Sequence, residues 1–419
     1  MARLRNPEIE PMSDLVLAIN AGSSSLKFGL FSINANRSVA EEMRGGYVNL
    51  GKGAHFSVKD TQGQILTDEE LGVVDAPEIF DHLLKWLSQK HNIDNIIAAG
   101  HRIVHGGETF VAPVHLNDDV VVALEALRPL APLHQPMSLT PVCVLGRLRP
   151  NLRQIGCFDT AFHHHLKPPV NRYPIPAAYE NAGIRKYGFH GLSYEYIADH
   201  LRKTAPEILG KRLVVAHLGS GSSLCAMHNG VSIDTTMGYT PLDGLMMGTR
   251  SGSIDPGIIL HLCREGNMST DDIEHLLYHE SGLLGVSGIS GDVRDLVMSD
   301  KPEARAAIEL FVFRAAKEIA AMAVSLEGLE GIVFTGGIGE HSPEIREMIC
   351  ARLKWLNVKL NPVANEANET SIGAEESSVE IMMVSTNEEI AIARNVIAPV
   401  RAGQPFPQTM EIESKLVRK

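Results

Sequence analysis

Two apolar rhythms alternate along the chain. Compact apolar runs of strand length are bounded by glycine and serine. Between them apolar residues recur every three or four positions, the period of a helix with one buried face. The runs 15–19 and 26–31 flank Asn20-Ala-Gly-Ser-Ser-Ser25 and predict a β-hairpin with a glycine–serine tip. Small residues at such a tip let backbone N–H groups approach an anion, serine hydroxyls add donors, and Lys27 adds a positive charge at the base. The pattern returns about half a chain later over 214–226, where Ser222-Ser223-Leu224 matches Ser24-Ser25-Leu26. A repeat at that distance indicates duplication. Two such hairpins facing each other across a cleft would grip a polyphosphate from both sides.

In order, residues 37–65 are strand-like with glycine breaks, and 77–89 predict an amphipathic helix burying Ile79, Phe80, Leu83, Leu84 and Leu87. A buried strand over 96–99 runs into Gly100-His-Arg-Ile-Val-His-Gly-Gly107. Arg102 there either caps a turn or holds a carboxylate or phosphate in its planar fork. A short helix over 119–127 precedes a rigid, proline-bracketed loop, 131–136, that presents Leu133 and His134. The strand 152–158 ends in Asp159-Thr160. A carboxylate at the carboxyl end of a strand sits where active sites form in open α/β sheets; capping of the next turn is the competing account. His163, His164 and His165 read as a solvated turn, because three consecutive residues cannot all face one ion from a regular element. His190, between Phe189 and Gly191, precedes a helix over 193–202. It is either a hydrogen-bonded structural residue or a donor to a transferring phosphoryl group.

Past the second hairpin, 241–252 is glycine-dense and carries one arginine, Arg250. Such a loop costs backbone entropy and usually exists to place something. Helices over 271–279 and 302–326 bracket a Gly/Ser loop, 287–295, with Asp292 and Arg294. The strand 331–334 enters Thr335-Gly-Gly-Ile-Gly-Glu-His-Ser-Pro343, where Ser342 as cap and Pro343 in the first turn start a helix to about residue 355. Strand, glycine loop and helix start together favour a phosphate. After a last strand, 381–385, Thr386-Asn-Glu-Glu389 reads as a capping box for a helix to about residue 400. That explains Glu389 structurally; Glu388 is not required by the cap and could reach a metal.

Composition narrows the classes. The 419 residues suit two or three domains. With 44% hydrophobic and 21% charged residues the balance is that of an ordinary soluble enzyme. The net charge of −12 and the lack of a dense Lys/Arg run argue against nucleic acid, so an anion site must concentrate its positive charge locally. None of the five cysteines form C-x-x-C pairs, which reads as buried free thiols in a reducing cytosol. No signal peptide or membrane-spanning run is expected, and the residues before Ser13 read as a polar, mobile extension.

These blocks, with Phe158-Asp-Thr-Ala-Phe162, Tyr187-Gly-Phe-His-Gly191 and Met246-Met-Gly-Thr-Arg-Ser-Gly252, resemble the acetate kinase (acetokinase) family nearly end to end. The resemblance implies two actin-like, ribonuclease H-like α/β domains with a nucleotide cleft between them. These would be 1–160 plus 390–419, with the last helix returning, and 161–389, which binds the nucleotide. It implies a cytoplasmic homodimer that interconverts ATP plus acetate with ADP plus acetyl phosphate, using Mg²⁺ (or Mn²⁺). Position by position, Asn20 and Glu388 would hold the metal and Lys27 would touch ATP. Arg102 and Arg250 would hold the carboxylate and the transferring phosphoryl group. Asp159 would be the catalytic carboxylate and His190 a transition-state stabiliser. His217, Leu218, Gly219, Ser220 and Gly221 would line the phosphates. Asp292, Val293 and Arg294, with Gly337, Ile338, Gly339, Glu340 and His341, would surround the nucleoside. Val104, Leu133, Phe189 and Pro241 would wall the methyl group of acetate.

The chemistry is consistent with those residues. A carboxylate nucleophile is already ionised at neutral pH and needs no general base. The obstacle is bringing it up to a polyanion, which two arginines, a histidine and a divalent cation address. Asp159 is therefore expected to orient the cation or its water rather than accept a proton. Ser220 and His341 stand where the family usually has Asn, and Leu192 and Tyr194 replace a common Thr and His after His190. Propionate-using relatives often carry a smaller residue at the position of Val104, so acetate is the expected substrate, with leakage to propionate or butyrate. A sugar or glycerol kinase would need a general base and a polar pocket. A non-catalytic actin-like ATPase module would not need Arg102 and Arg250.

Overall fold

A computed structural model describes residues 14–401, except Ser23, Ser24, Arg37, Gly51 and Lys52. The extension read before Ser13 and two serines of the first hairpin tip lie outside the described residues. Contacts divide the chain into two compact units. One runs up to Phe158 and resumes at Glu388; the other is Asp159–Asn387.

Among its described residues the first unit has eight strands: β1 (Leu15–Ala21), β2 (Ser25–Ile33), β3 (Val39–Val48), β4 (Ala54–Asp60), β5 (Ile65–Gly72), β6 (Ile96–Ile103), β7 (Val114–His115) and β8 (Arg153–Phe158). They form one sheet in the order β5-β4-β3-β2-β1-β6-β8-β7. The apolar run of β1 is buried along nearly its whole length, as befits a central strand, and pairs antiparallel with β2 and parallel with β6. Leu17, Ile19, Phe28 and Leu30 pack with Ile79, Phe80, Leu83 and Leu87 of the helix Ala76–Lys90. That helix starts on a true capping box between Asp75 and Glu78. The helix Glu388–Arg401 lies against β1 and β6. It comes so close that a Cβ on Gly100 would sit 2.4 Å from Ile392 Cγ2.

The second unit carries β9 (Arg212–Leu218), β10 (Ser222–His228), β11 (Val231–Thr235), β12 (Gly331–Thr335) and β13 (Glu380–Met383), in the order β11-β10-β9-β12-β13. β9 pairs antiparallel with β10 and parallel with β12, and β12 pairs parallel with β13. This repeats β3-β2-β1-β6-β8 in order and direction. The duplication read from two hairpins therefore extends to the five central strands of each unit. Alternate residues of β9 serve opposite cores, as the two-residue strand period requires. Val214, Ala216 and Leu218 pack with the helix Pro302–Ser325, and Leu213 and Val215 with the helix Gly191–Thr204.

Several expectations are corrected. The loop expected over 131–136 ends at His134, because the helix Gln135–Leu148 begins there. Its interior Pro141 reads as a breaker and hides it in the sequence. The glycine loop after β12 is a short helix, Gly336–His341, and the next helix, Pro343–Arg352, stops before residue 355. Ser342 holds the cap position, but its side chain makes no capping bond. The expected capping box at 386–389 gives way to a helix that starts only at Glu388. The Thr386 hydroxyl is 2.9 Å from Ser193 Oγ, while Glu389 accepts from Asn20. Cys157, Cys225 and Cys350 are buried free thiols as expected, whereas Cys143 and Cys263 are exposed. No helix among the described residues is long and apolar enough to cross a membrane.

Candidate functional site

In the second unit, Leu218 pairs with Ser222, leaving Gly219, Ser220 and Gly221 as the hairpin tip. The first hairpin closes with Ala21 opposite Leu26, so its tip is one residue longer. Two cationic or donor groups converge on Gly221. A Cβ there would lie 3.2 Å from His190 Nε2 and 3.3 Å from Arg250 Nη2. Arg250 is fixed by donating from Nη1 to the Pro241 carbonyl at 2.7 Å. His190 takes the left-handed conformation, φ 58°, as the residue that opens the helix Gly191–Thr204. The next amide, Gly191 N, donates to the Asp159 carbonyl at 2.9 Å.

The first turn of that helix clamps two imidazoles. His190 Nδ1 lies 2.8 Å from Ser223 Oγ, which is 2.5 Å from the Tyr194 hydroxyl. His217 Nδ1 lies 2.9 Å from Ser193 Oγ, and the two imidazole rings stand 4.4 Å apart. Asp159 is buried, 1% exposed, at the end of β8. Phe189, the residue before His190, is buried, and its carbonyl accepts from His163 Nε2 at 3.0 Å. This corrects the reading of 163–165 as a solvated turn. His164 and His165 are exposed, but His163 turns inward and also meets Ser232 Oγ at 2.7 Å. Burial pushes His163 down to about 4.

The tip opens onto a cavity of about 610 Å³, within the size range of small-molecule sites. Gly219 and Ser220 line it from the hairpin, Asp292, Val293 and Arg294 from a second turn, and Gly337, Ile338 and His341 from a third. Gly248, Thr249, Gly291 and Ser342 complete the wall and were not among the expected site residues, although the glycine density around Gly248 was a signal. His217, Leu218, Gly221, Gly339 and Glu340 belong to the same elements without lining this cavity. Leu218 faces the core, and Glu340 Oε1 accepts from Gly336 N and Thr386 N. Asp292 caps the turn Val293–Val297 and pairs with Arg294, which holds its carboxyl below the usual range.

Arg346, 0% exposed, props the third turn from behind. Its five hydrogen bonds go to amide oxygens, including Gly339 O at 2.8 Å and Glu340 O at 3.0 Å. Nothing in its sequence context separates it from a surface arginine.

The first unit gathers a different set around Asn20. Asn20 Nδ2 donates to Glu388 Oε2 at 2.8 Å and to Glu389 Oε1 at 3.2 Å, while its Oδ1 accepts from Arg102 Nη1 at 3.3 Å. Burial, and then the neighbouring Glu388 carboxylate, raise Glu389 above the usual carboxylate range. Two carboxylates and an amide oxygen form an all-oxygen donor set with excess negative charge. That fits a hard divalent cation such as Mg²⁺, which commonly takes one or two protein carboxylates and completes its shell with phosphate and water. Sequence reading assigned Glu389 to a cap and missed its place here. Lys27 is exposed and stands opposite Asn20 across the hairpin. Val104 is buried with its N–H 3.3 Å from Ser138 Oγ, and Leu133 is half-buried.

Comparison with known proteins bears on these arrangements. Residues 15–394 match the family model described as the acetokinase family. An acetate kinase of Rhodopseudomonas palustris (strain TIE-1) is 46% identical over 395 residues, covering 92% of this chain and 98% of its own. One from Rickettsia akari is 43% identical over 386 residues, covering 92% and 99%. A propionate kinase structure from Francisella tularensis superposes with a TM-score of 0.83 at 36% identity, covering 91% of this chain and 98% of its own. The Porphyromonas gingivalis acetate kinase structure gives 0.80 at 34%, covering 93% and 100%.

Proposed function

The chain belongs to the acetokinase family, and from that premise we propose that it transfers the γ-phosphoryl group of ATP to acetate by direct in-line displacement. A carboxylate oxygen forms the new P–O bond as the bond to ADP breaks, yielding acetyl phosphate. The observation that carries this reading is the convergence of His190 Nε2 and Arg250 Nη2 on the Gly221 tip, at the mouth of a nucleotide-sized cavity. Backbone amides, an imidazole and a guanidinium at one point suit a phosphoryl group gathering charge in the transition state.

The roles of the site residues are those the family resemblance assigns, and the chemistry of each group is compatible with them. The wall built by the second and third turns takes the nucleoside, and the hairpin tip takes the phosphates. Arg250 and Arg102 hold the transferring phosphoryl group and the acceptor carboxylate, and Lys27 touches ATP. Val104, Leu133, Phe189 and Pro241 wall the acetate methyl. Asn20 and Glu388 would hold Mg²⁺, which when bound neutralises charge on the phosphates. Asp159 acts electrostatically, toward that cation or its water, because an ionised nucleophile leaves no proton to remove.

Trapping the acyl phosphate with hydroxylamine, using acetate, propionate, butyrate and glycerol in parallel, tests the assignment. Acetate should give the highest kcat/KM and glycerol no hydroxamate. Propionate is the second reading, favoured by the propionate kinase superposition. A higher kcat/KM for propionate would establish it. Discrimination between the two rests on about 1–3 kcal/mol per methylene.

The helix Pro256–Arg264 buries none of its residues and exposes Ile258 (47%) and Leu260 (53%). That unpartnered apolar face supports a homodimer of the second unit. Leu260→Glu should convert a dimeric elution mass to a monomeric one in light scattering. The expected compartment is the cytoplasm, in keeping with the free thiols.

A further inference from the structure

Tyr194 is one of the positions at which the chain departs from its family's pattern, and it is 0% exposed. Its hydroxyl is spent on a single hydroxyl neighbour: Ser223 Oγ at 2.5 Å, which in turn meets His190 Nδ1 at 2.8 Å. The three groups form one line from the core to the hairpin tip. A phenol is a stronger donor than an aliphatic hydroxyl, so the Tyr194 hydrogen points to Ser223. Ser223 is buried, and directing its one hydrogen to Nδ1 is the arrangement that leaves no donor of the three groups unpaired, with Nδ1 as the acceptor. That arrangement puts the imidazole proton on Nε2, the nitrogen that borders Gly221 beside Arg250.

Resting on the reading of His190 as a phosphoryl contact, we propose that Tyr194, acting through Ser223, is a positioning residue that fixes His190 with its proton on Nε2. Three features make that consequential. His190 sits in a left-handed backbone conformation, uncommon for a residue with a Cβ and kept only where its surroundings hold it, so its neighbours decide what its ring presents. An N–H on Nε2 gives the tip a second donor next to the Arg250 guanidinium without adding a second cation. The ring of His163, itself bonded to the Phe189 carbonyl, packs edge-on to Tyr194 with centroids 5.5 Å apart, so the phenol cannot swing away.

The test uses the full chain in the hydroxamate assay. Tyr194→Phe keeps the ring and removes only the donor. It should lower kcat about tenfold, the scale on which partners behind a reacting group act, with the KM for acetate and for ATP changing less than about threefold. Ser223→Ala should lower kcat at least as much. Because the tyrosine acts through the serine, the double variant should match Ser223→Ala alone rather than multiply the two losses. Nitrogen-15 NMR of labelled histidine, with His190→Gln to assign the signal, should show His190 Nδ1 unprotonated in the parent and mixed in Tyr194→Phe. An unchanged kcat in Tyr194→Phe, multiplicative losses, or a protonated Nδ1 in the parent would overturn the proposal. Should Tyr194→Phe fail to fold, Ser223→Ala decides it, an unchanged kcat again overturning it. If His190→Ala itself retains the parent kcat, the phosphoryl role of His190 falls instead, while the NMR signal still reports on the hydrogen-bond line.

Discussion

At the level of single residues, the second hairpin tip is governed by what its glycine leaves out. Gly221 lies outside the left-handed region, so alanine is sterically possible for the backbone. The added methyl, however, would press on His190 Nε2 and Arg250 Nη2. Gly221→Ala should therefore cost activity without costing the fold. We expect kcat/KM to fall up to about 10-fold, since the two side chains need give by less than the 1 Å that costs about 100-fold, while the melting temperature moves little. Asp159→Asn separates charge from shape at the buried carboxylate. It should weaken the dependence of rate on Mg²⁺ concentration, and near-normal metal dependence would count against the assigned role. Glycine and charge carriers of this kind are legible in sequence because only a few residue types can do their work. Glu389 and His163 were not legible, because each has an ordinary explanation, a cap or a wet turn, that only packing overrules.

Elements carry the next layer, and here the cavity depends on groups that never reach it. Arg346 lies on the helix Pro343–Arg352 and props the turn Gly336–His341 by two carbonyl bonds. Its fork also joins Asn365 and Asn368. Arg346→Met would leave several buried oxygens without donors and should destabilise the second unit by about 3–5 kcal/mol, seen as a lower urea midpoint. Arg346→Lys keeps the charge but not the fork, so it should fold and raise the KM for nucleotide more than that for acetate. Strand pairs and long helices were readable from periodicity because their patterns are long. The helix Gln135–Leu148 was not, since Pro141 interrupts it, and the short helices at Gly336–His341 and Val293–Val297 read as loops because glycine and capping Asp dominate them.

For the whole molecule, a match of a few residues at two hairpins pointed to a duplication that the strand order of the two sheets repeats. What that match could not show is how many histidines the two cores would swallow. His101 and His105 in the first unit and His163 in the second are each buried, and burial lowers each of them to about 4 from an ordinary 6.5. The unfolded chain takes up protons at these sites first as the pH falls. The stability they contribute is thus complete above about pH 6.5 and is lost progressively toward pH 4, by up to about 1.4 kcal/mol per pH unit for each site. The melting temperature should accordingly be flat from pH 8 to 7 and fall steeply between 6.5 and 4. Replacing His105 by Gln, which cannot take a proton, should flatten part of that slope even if it lowers the plateau. A melting temperature that stays level through pH 5 in the parent chain would mean that these imidazoles gain protons without unfolding their surroundings.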